Sequence, residues 1–285
     1  MAYRKTKKAF FSFVGLVAFC LVTVAVQSIA SPTIFSDEKL AVWFFDVGQG
    51  DSALIQSGST QILIDGGPSQ QVIEKLSAVM PFWDRNIEYM ISSHDHADHL
   101  VGLNAVADRY SFGEVWRPNA TYSTELGKEF MGKTNDEIAS APDCLELGEN
   151  RSLCILWPLL DFVENVDDEN DSSLVLLLKD GDVEVLFTGD AGIEEEAQMT
   201  SGLVDVDVLK VGHHGSLSSS SSTFLEMVKP EYAVISVGEN DYGHPSPTIV
   251  DRLQSVGAEI LRTDQLGDIR LLSDGKKIEV ASFEF

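Results

Sequence analysis

After residue 39 the apolar and polar positions fall into short strands separated by glycine-bearing turns. Leu40–Phe45, Ala53–Gln56 and Gln61–Ile64 are rich in β-branched and aromatic residues and are predicted strands. At Gln70–Met80 the spacing changes: Val72, Ile73, Leu76 and Val79 share one helical face, and Pro81 stops the helix. Ile87–Ile91 reads as a buried strand, Val101–Tyr110 as a helix and Glu114–Arg117 as a short strand. Residues 119–143 are polar, with one short helical stretch at Lys128-Glu129-Phe130; they read either as a lid facing substrate or as a surface excursion. Leu174–Leu178 and Val183–Phe187 flank Lys179-Asp180-Gly181-Asp182, a hairpin signal. Val206–Val211 and Tyr232–Val237 are strands, and between them Thr223-Phe224-Leu225-Glu226 reads as a capping box with Thr223 as N-cap and Glu226 reaching back. A helix at Pro247–Val256 and strands at Ile260–Arg262, Ile269–Leu272 and Ile278–Val280 complete the chain. Two runs of strands, each followed by helix, predict an α/β fold of four layers, an αββα sandwich with two sheets face to face and helices outside.

The first 36 residues have a different pattern. Arg4, Lys5, Lys7 and Lys8 precede an uncharged apolar run from Ala9 to Val26, followed by Ser28-Ile29-Ala30. Residues 1–36 therefore read as a cleavable signal peptide or as a single membrane anchor with its basic end in the cytoplasm; Phe19 before Cys20 does not suit lipoprotein processing. Either reading places the remaining domain, 37–285, secreted or membrane-anchored outside the cytoplasm. With those four basic residues set aside, 16 of the 20 Lys and Arg face 45 Asp and Glu, a net charge near −29. Such a charge repels polyanions and disfavours broad, sequence-independent nucleic-acid binding. Cys144 and Cys154 are equidistant from Glu149; alternating strands around a Gly148-Glu149-Asn150 turn would pair them as a disulfide in an oxidising compartment, and two small buried hydrophobes are the other reading.

The chemistry concentrates in His94-Asp95-His96-Ala97-Asp98-His99, which holds three of the six histidines. Four ligands this close can hold two divalent cations, His94 and His96 on one and Asp98 and His99 on the other. The motif follows a buried strand, where a rigid sheet aims it. Asp190, after Thr188-Gly189, also ends a strand and can bridge two cations. His213 or His214, after Val206–Val211, can complete the ligand set of the second ion, while Asp65 and His244 sit at two further strand ends.

The ordered set Asp65-Gly66-Gly67, His94-x-His96-x-Asp98-His99, Thr188-Gly189-Asp190 and His213-His214-Gly215-Ser216 resembles the metallo-β-lactamase fold superfamily. A finer set is similar to the soluble hydrolase domain of ComEC-type competence proteins. It comprises Phe45-Asp46-Val47-Gly48-Gln49-Gly50-Asp51-Ser52, Asn170-Asp171-Ser172-Ser173, Val211-Gly212-His213-His214-Gly215-Ser216 and Tyr242-Gly243-His244-Pro245-Ser246. The resemblance covers residues 40–280, and the many-helix channel of the competence proteins has no counterpart here. It implies that His94 and His96 hold one metal, Asp98 and His99 the other, and that Asp190 bridges. His213 is the last ligand, with His214 its competitor, and Asp65 fixes the tautomer of a ligand histidine. Where most of the superfamily has a third histidine on the first metal, this chain has Asn170-Asp171-Ser172-Ser173, so an oxygen of Asn170 or Asp171 takes that place and manganese becomes as plausible as zinc.

The implied activity is that of an exported dinuclear metallohydrolase acting on phosphodiesters, with single-stranded DNA as the substrate the resemblance suggests. Asp98 or Asp190 would orient the hydroxide. His244, or the non-ligating member of His213 and His214, would donate to the oxyanion or leaving group, and Ser216 and Ser218 would contact substrate phosphate. The acidic charge keeps open a hydrolase of a small ester, lactone or phosphocholine-type substrate, and a third alternative is a non-catalytic metal-binding envelope protein. β-Lactam hydrolysis is not implied, and no protein partner is.

Overall fold

The computed structural model describes residues 39–134, 136–159, 168–199 and 205–283. The readings made on residues 1–36 lie outside these. Among the described residues no helix is long and apolar enough to cross a membrane.

Alternation along each strand builds the layers. In β1 (Leu40–Phe44), Leu40, Val42 and Phe44 point into the apolar core between two sheets, while Ala41 and Trp43 pack in a second core under the outer helices. Both faces are covered, so the strand reads as a continuous apolar run. The first sheet has eight strands in the order β15-β14-β1-β2-β3-β4-β5-β6, and the second has seven in the order β13-β12-β11-β10-β9-β8-β7. In the first, β2 (Ala53–Ser57) and β3 (Thr60–Ile64) are antiparallel, and β3 runs parallel to β4 (Asn86–Ile91) and β5 (Ser111–Arg117). β6 (Asp136–Ile138) and the C-terminal hairpin β14 (Asp268–Ser273) and β15 (Ile278–Phe283) close its two edges. In the second, β7 (Cys144–Gly148), β8 (Arg151–Trp157), β9 (Val175–Asp180) and β10 (Val183–Phe187) form a meander. β10 then continues in parallel through β11 (Val208–Lys210), β12 (Tyr232–Ile235) and β13 (Glu259–Arg262).

Helices α1 (Gln71–Val79), α2 (Ala97–Ala107) and α3 (Glu125–Lys133) cover the first sheet. α4 (Ile193–Met199), α5 (Ser222–Val228) and α6 (Pro247–Ser255) cover the second. This is the αββα sandwich expected from the strand and helix order. The C-terminal ends of β3, β4, β10, β11 and β12 meet along one edge of the sandwich.

Two local expectations are corrected, and of the two readings for the cysteines the disulfide is the one found. The cap of α5 is Ser221, whose side chain accepts from the Phe224 amide at 3.2 Å, and not Thr223. The buried Glu196 carboxylate accepts from the Ser220 and Ser221 amides, which fixes that turn two residues earlier. Among the described residues of 119–143 none lines the cleft. α3 packs on α2, with Phe130 fully buried, and Asp95 accepts from the Thr124 hydroxyl at 2.7 Å and the Thr124 amide at 3.2 Å. Cys144 and Cys154 face each other across the β7–β8 hairpin in a disulfide, on an exposed edge and not in the core.

One close backbone contact positions the later chemistry. The Gly66 amide donates to His99 O at 2.7 Å and the Gly102 amide to Gly67 O at 3.0 Å, so the β3 loop is laced onto α2. A methyl group at Gly102 would collide with the Gly66 carbonyl, and one at Gly66 with the Leu103 amide. Gly102→Ala should therefore destabilise the protein by about 1–3 kcal/mol through overpacking. Urea denaturation beside a Gly132→Ala control, where nothing lies near the added methyl, checks it.

Candidate metal centre

All six histidines of the chain form one continuous cluster of rings. Centroid separations are 4.6 Å for His94–His96, 4.2 Å for His94–His99, 5.4 Å for His99–His214, 6.2 Å for His213–His214 and 5.8 Å for His213–His244. His94 leaves the end of β4. His96 is the extended N-cap of α2, and Asp98 and His99 lie in that helix's first turn, where a carboxylate is favoured by the unpaired amides. Asp190 follows β10, and both His213 and His214 follow β11.

The imidazoles are held from behind. His99 Nδ1 donates to Asp65 Oδ2 at 2.8 Å, and His214 Nδ1 donates to Ser236 O at 2.9 Å. His94 Nδ1 lies 2.9 Å from the Ser93 hydroxyl, which itself donates to Asp65 Oδ2 at 2.7 Å. Asp65 adopts a left-handed backbone (φ 57°) before Gly66-Gly67, which turns its carboxylate inward; the Ser93 amide donates to it at 2.8 Å. With Nδ1 occupied, each ring presents Nε2 forward, the arrangement that prepares a ligand histidine.

Those Nε2 atoms converge on one oxygen. Asp190 Oδ2 lies 3.9 Å from Nε2 of His94, 3.4 Å from that of His99, 3.7 Å from that of His213 and 3.8 Å from that of His214. His94 Nε2, His99 Nε2 and Asp190 Oδ1 are buried without a hydrogen-bond partner. Two ligand atoms on one tetrahedral ion at about 2.1 Å lie roughly 3.4 Å apart, so these gaps suit an intervening cation better than a direct hydrogen bond. Two ligand groups stand side by side: His94, His96 and Asp190, and Asp98, His99 and His214. The donor set therefore fits a dinuclear metal cofactor.

One expected preference is reversed. His214, not His213, belongs to the group with Asp98, its Nε2 lying 3.2 Å from Asp98 Oδ2. Both histidines have left-handed backbones (φ 46° and 53°), a strained turn that swings the second ring inward and leaves the first half-buried against Ser218 Oγ at 3.1 Å. Ser216 accepts from the Ser218 hydroxyl at 3.0 Å, so these serines support the His213 ring and neither lines the cleft. In the 169–172 turn, Asn170 Oδ1 is buried without a partner, while the Asp171 carbonyl accepts from Trp157 Nε1 at 2.8 Å.

Two contributors escaped the sequence reading. Glu169 Oε2 lies 3.6 Å from His96 Nε2, in a group with Asp168. Asp51 is buried beneath the centre, paired with the buried Lys210 ammonium, and its Oδ1 lies 3.2 Å from His214 Nδ1. A carboxylate between two buried strands, within Gly48-Gln49-Gly50-Asp51-Ser52, was the available signal.

Electrostatics follow from burial and crowding. Burial would lower the His99 and His214 imidazoles, but Asp190 with Asp65, and Asp190 with Asp51, outweigh it; His99 is held well above its ordinary value and His214 is pushed up to about 9. Burial would raise Asp190, but His99 and His214 hold it well below the carboxylate range. Burial and the neighbouring His99 push His94 down. His244 is lowered by burial and by His213 and His214. Burial and crowding thus favour the charged forms of His99, His214 and Asp190 and the neutral form of His94.

The centre opens into a cleft of about 700 Å³, walled by Gln49 and Pro68 on one side and by the loop carrying Glu239, Asp241, Tyr242 and His244 on the other. Among the described residues no lysine or arginine lines it.

Two adjacent His/Asp ligand groups at the strand ends of an αββα sandwich define a metal-dependent hydrolase. A profile of the metallo-beta-lactamase superfamily matches residues 45–239, and the chain belongs to that family. It is 30% identical to Recombination protein 2 of Haemophilus influenzae over 95% of its own length, and 31% identical to Competence protein ComA of Neisseria gonorrhoeae over 84%. The chain spans about a third of the length of these relatives, covering 33% of each. Among solved structures it resembles CmlA, a diiron beta-hydroxylase from Streptomyces venezuelae, with a TM-score of 0.55, 15% identity, and 87% of this chain and 55% of that one covered. That likeness is one of fold alone.

The ionisation pattern carries a pH dependence. Because the folded pKa of His214 lies above its unfolded value of 6.5, its contribution is fully present below about pH 6.5 and is lost as pH climbs through about 9. Metal-free protein should lose up to about 3 kcal/mol over that interval. Urea denaturation in chelator at pH 6 and pH 9.5 measures it, and equal stability at both would contradict the assigned ionisation.

Proposed function

We propose that this protein is an exported or membrane-anchored phosphodiesterase with two divalent cations, zinc or manganese, acting on nucleic-acid phosphodiesters in DNA uptake. The observation that carries the proposal is the convergence of buried, unpartnered histidine Nε2 atoms on the Asp190 carboxylate. The competence-protein relatives support the substrate class and the location outside the cytoplasm.

In this reading His94, His96 and Asp190 would hold one cation and Asp98, His99 and His214 the other. Asn170 or Glu169 supplies an oxygen on the first side; Asp171 was the other candidate for that oxygen. Such a pair supplies charge neutralisation at an attacked phosphoryl group and a water of lowered pKa. Asp98, the partly exposed ligand at the cleft floor, orients the attacking water together with Asp190. His244 donates an N–H to the phosphoryl oxygen or leaving group from the opposite wall, and His213, steadied by Ser218 and Ser216, is the second donor on that side. Asp65 holds the His99 ring in its ligating tautomer.

A second reading is favoured by the acidic cleft mouth: Glu239 and Asp241 line it without a counter-charge, which suits a small diester or ester better than a polymer.

Metal-stripped protein reconstituted with Mn²⁺ or Zn²⁺ should hydrolyse bis-p-nitrophenyl phosphate and single-stranded DNA, and Asp98→Ala should abolish both activities. Turnover of the small diester alone would move the assignment to a small-substrate phosphodiesterase. Absence of both with metal bound would sink the enzymatic reading for phosphodiesters. His214→Ala should lose one of two bound metals by elemental analysis, whereas His213→Ala should keep both. Asp65→Asn should weaken metal affinity by roughly 10- to 100-fold.

A further inference from the structure

We propose that Tyr242 is a stacking face for an unpaired nucleobase beside the reacting phosphate; the proposal rests on the phosphodiesterase reading above. Tyr242 is 77% exposed although it lines the cleft. Its ring stacks on His244 at 5.7 Å with 28° between planes, and His244 lies 5.8 Å from His213, whose Nε2 is 3.7 Å from Asp190 Oδ2. Tyr242 is thus the outermost of a file of rings that begins at the metal centre.

The loop that presents it is ordered before any ligand arrives. Asn240 Oδ1 accepts from the Tyr242 amide at 3.1 Å and from the His244 amide at 3.0 Å, while Asn240 Nδ2 donates to Gly238 O at 2.8 Å and to His244 O at 2.9 Å. Gly243, at φ 78°, permits the tight return. A pre-ordered aromatic spends little entropy on binding.

Charge selects the kind of ligand. Glu239 and Asp241 flank Tyr242, so a phosphate backbone finds repulsion there, whereas a neutral base face finds a ring. Stacking on an aromatic side chain is tolerant of base identity and needs no cation. A base within a duplex has both faces covered by its neighbours, so the ligand is an unpaired base carried by a single strand or a strand end.

The test is fluorescence anisotropy of a labelled oligothymidylate, against an abasic deoxyribose-phosphate oligomer of equal length, binding the full chain. Wild type should prefer the base-bearing oligomer by roughly tenfold. Tyr242→Ala and Tyr242→Leu should bring the ratio near one, and Tyr242→Phe should keep it. The preference should persist as salt is raised, since no phosphate contact generates it. A wild-type ratio near one, or a ratio that survives in Tyr242→Ala, overturns the proposal. Hydrolysis of bis-p-nitrophenyl phosphate measured in parallel separates the two ideas. A preserved ratio without turnover removes the phosphodiesterase and keeps the stacking face, and turnover with a ratio of one does the reverse.

Discussion

Four imidazole nitrogens aimed at one buried carboxylate oxygen are the constraint around which the molecule is arranged. Among the described residues Asp190 forms ion pairs with histidines and with no lysine or arginine, and it sits where an isolated carboxylate would be expelled or neutralised. What stabilises it is positive charge delivered through histidine, either as protons or as cations. The supporting contacts all serve that delivery. Asp65 and Ser236 O occupy the rear nitrogens of His99 and His214, and the Lys210–Asp51 pair balances the layer beneath. Such an array tolerates little displacement, because the rings come from two distant chain segments, one on each sheet, and all share one oxygen.

The sandwich supplies that precision by keeping its two sheets in contact through an apolar core. β3 and β4 carry one half of the centre and β10 and β11 the other, so no local segment can build it. Gly66 and Gly102 bring two backbones closer than any side chain would allow, and this contact sets the depth of Asp65 relative to His99. The left-handed turn at His213 and His214 is the corresponding device on the second sheet. Its backbone strain, about 1–3 kcal/mol for each residue of this kind, is tolerated because the Ser236 carbonyl and Asp98 hold the second ring in place.

Much of this was legible beforehand, and the failures are instructive. The helices are readable because their apolar faces repeat with period 3.6, and the central strands because they are short apolar runs, several of them ended by a polar motif. The cap of α5 was misplaced because Thr223 and Glu226 satisfy a local rule, while the carboxylate that organises the turn, Glu196, comes from a different helix. Residues 119–143 showed only a short helical stretch because their few apolar positions are spread thinly, yet Phe130, with Leu126 beside it, docks α3 into the core. Asp51 and Glu169 stood in plain view, but nothing about a single carboxylate says which distant histidine it will meet.

The amino-acid sequence by itself determined the class of the protein: strand-rich halves, a six-residue metal motif and single ligands placed after later strands admit few other architectures. Local rules suffice for that, since ligand type and strand-end position are properties of short segments. Tertiary structure alone decided which of two adjacent histidines turns inward, which acidic residues reach the centre and that Tyr242 stands open at its mouth. Those outcomes depend on backbone dihedrals in turns and on contacts between residues more than a hundred positions apart, such as His214 and Asp98, which no local pattern encodes.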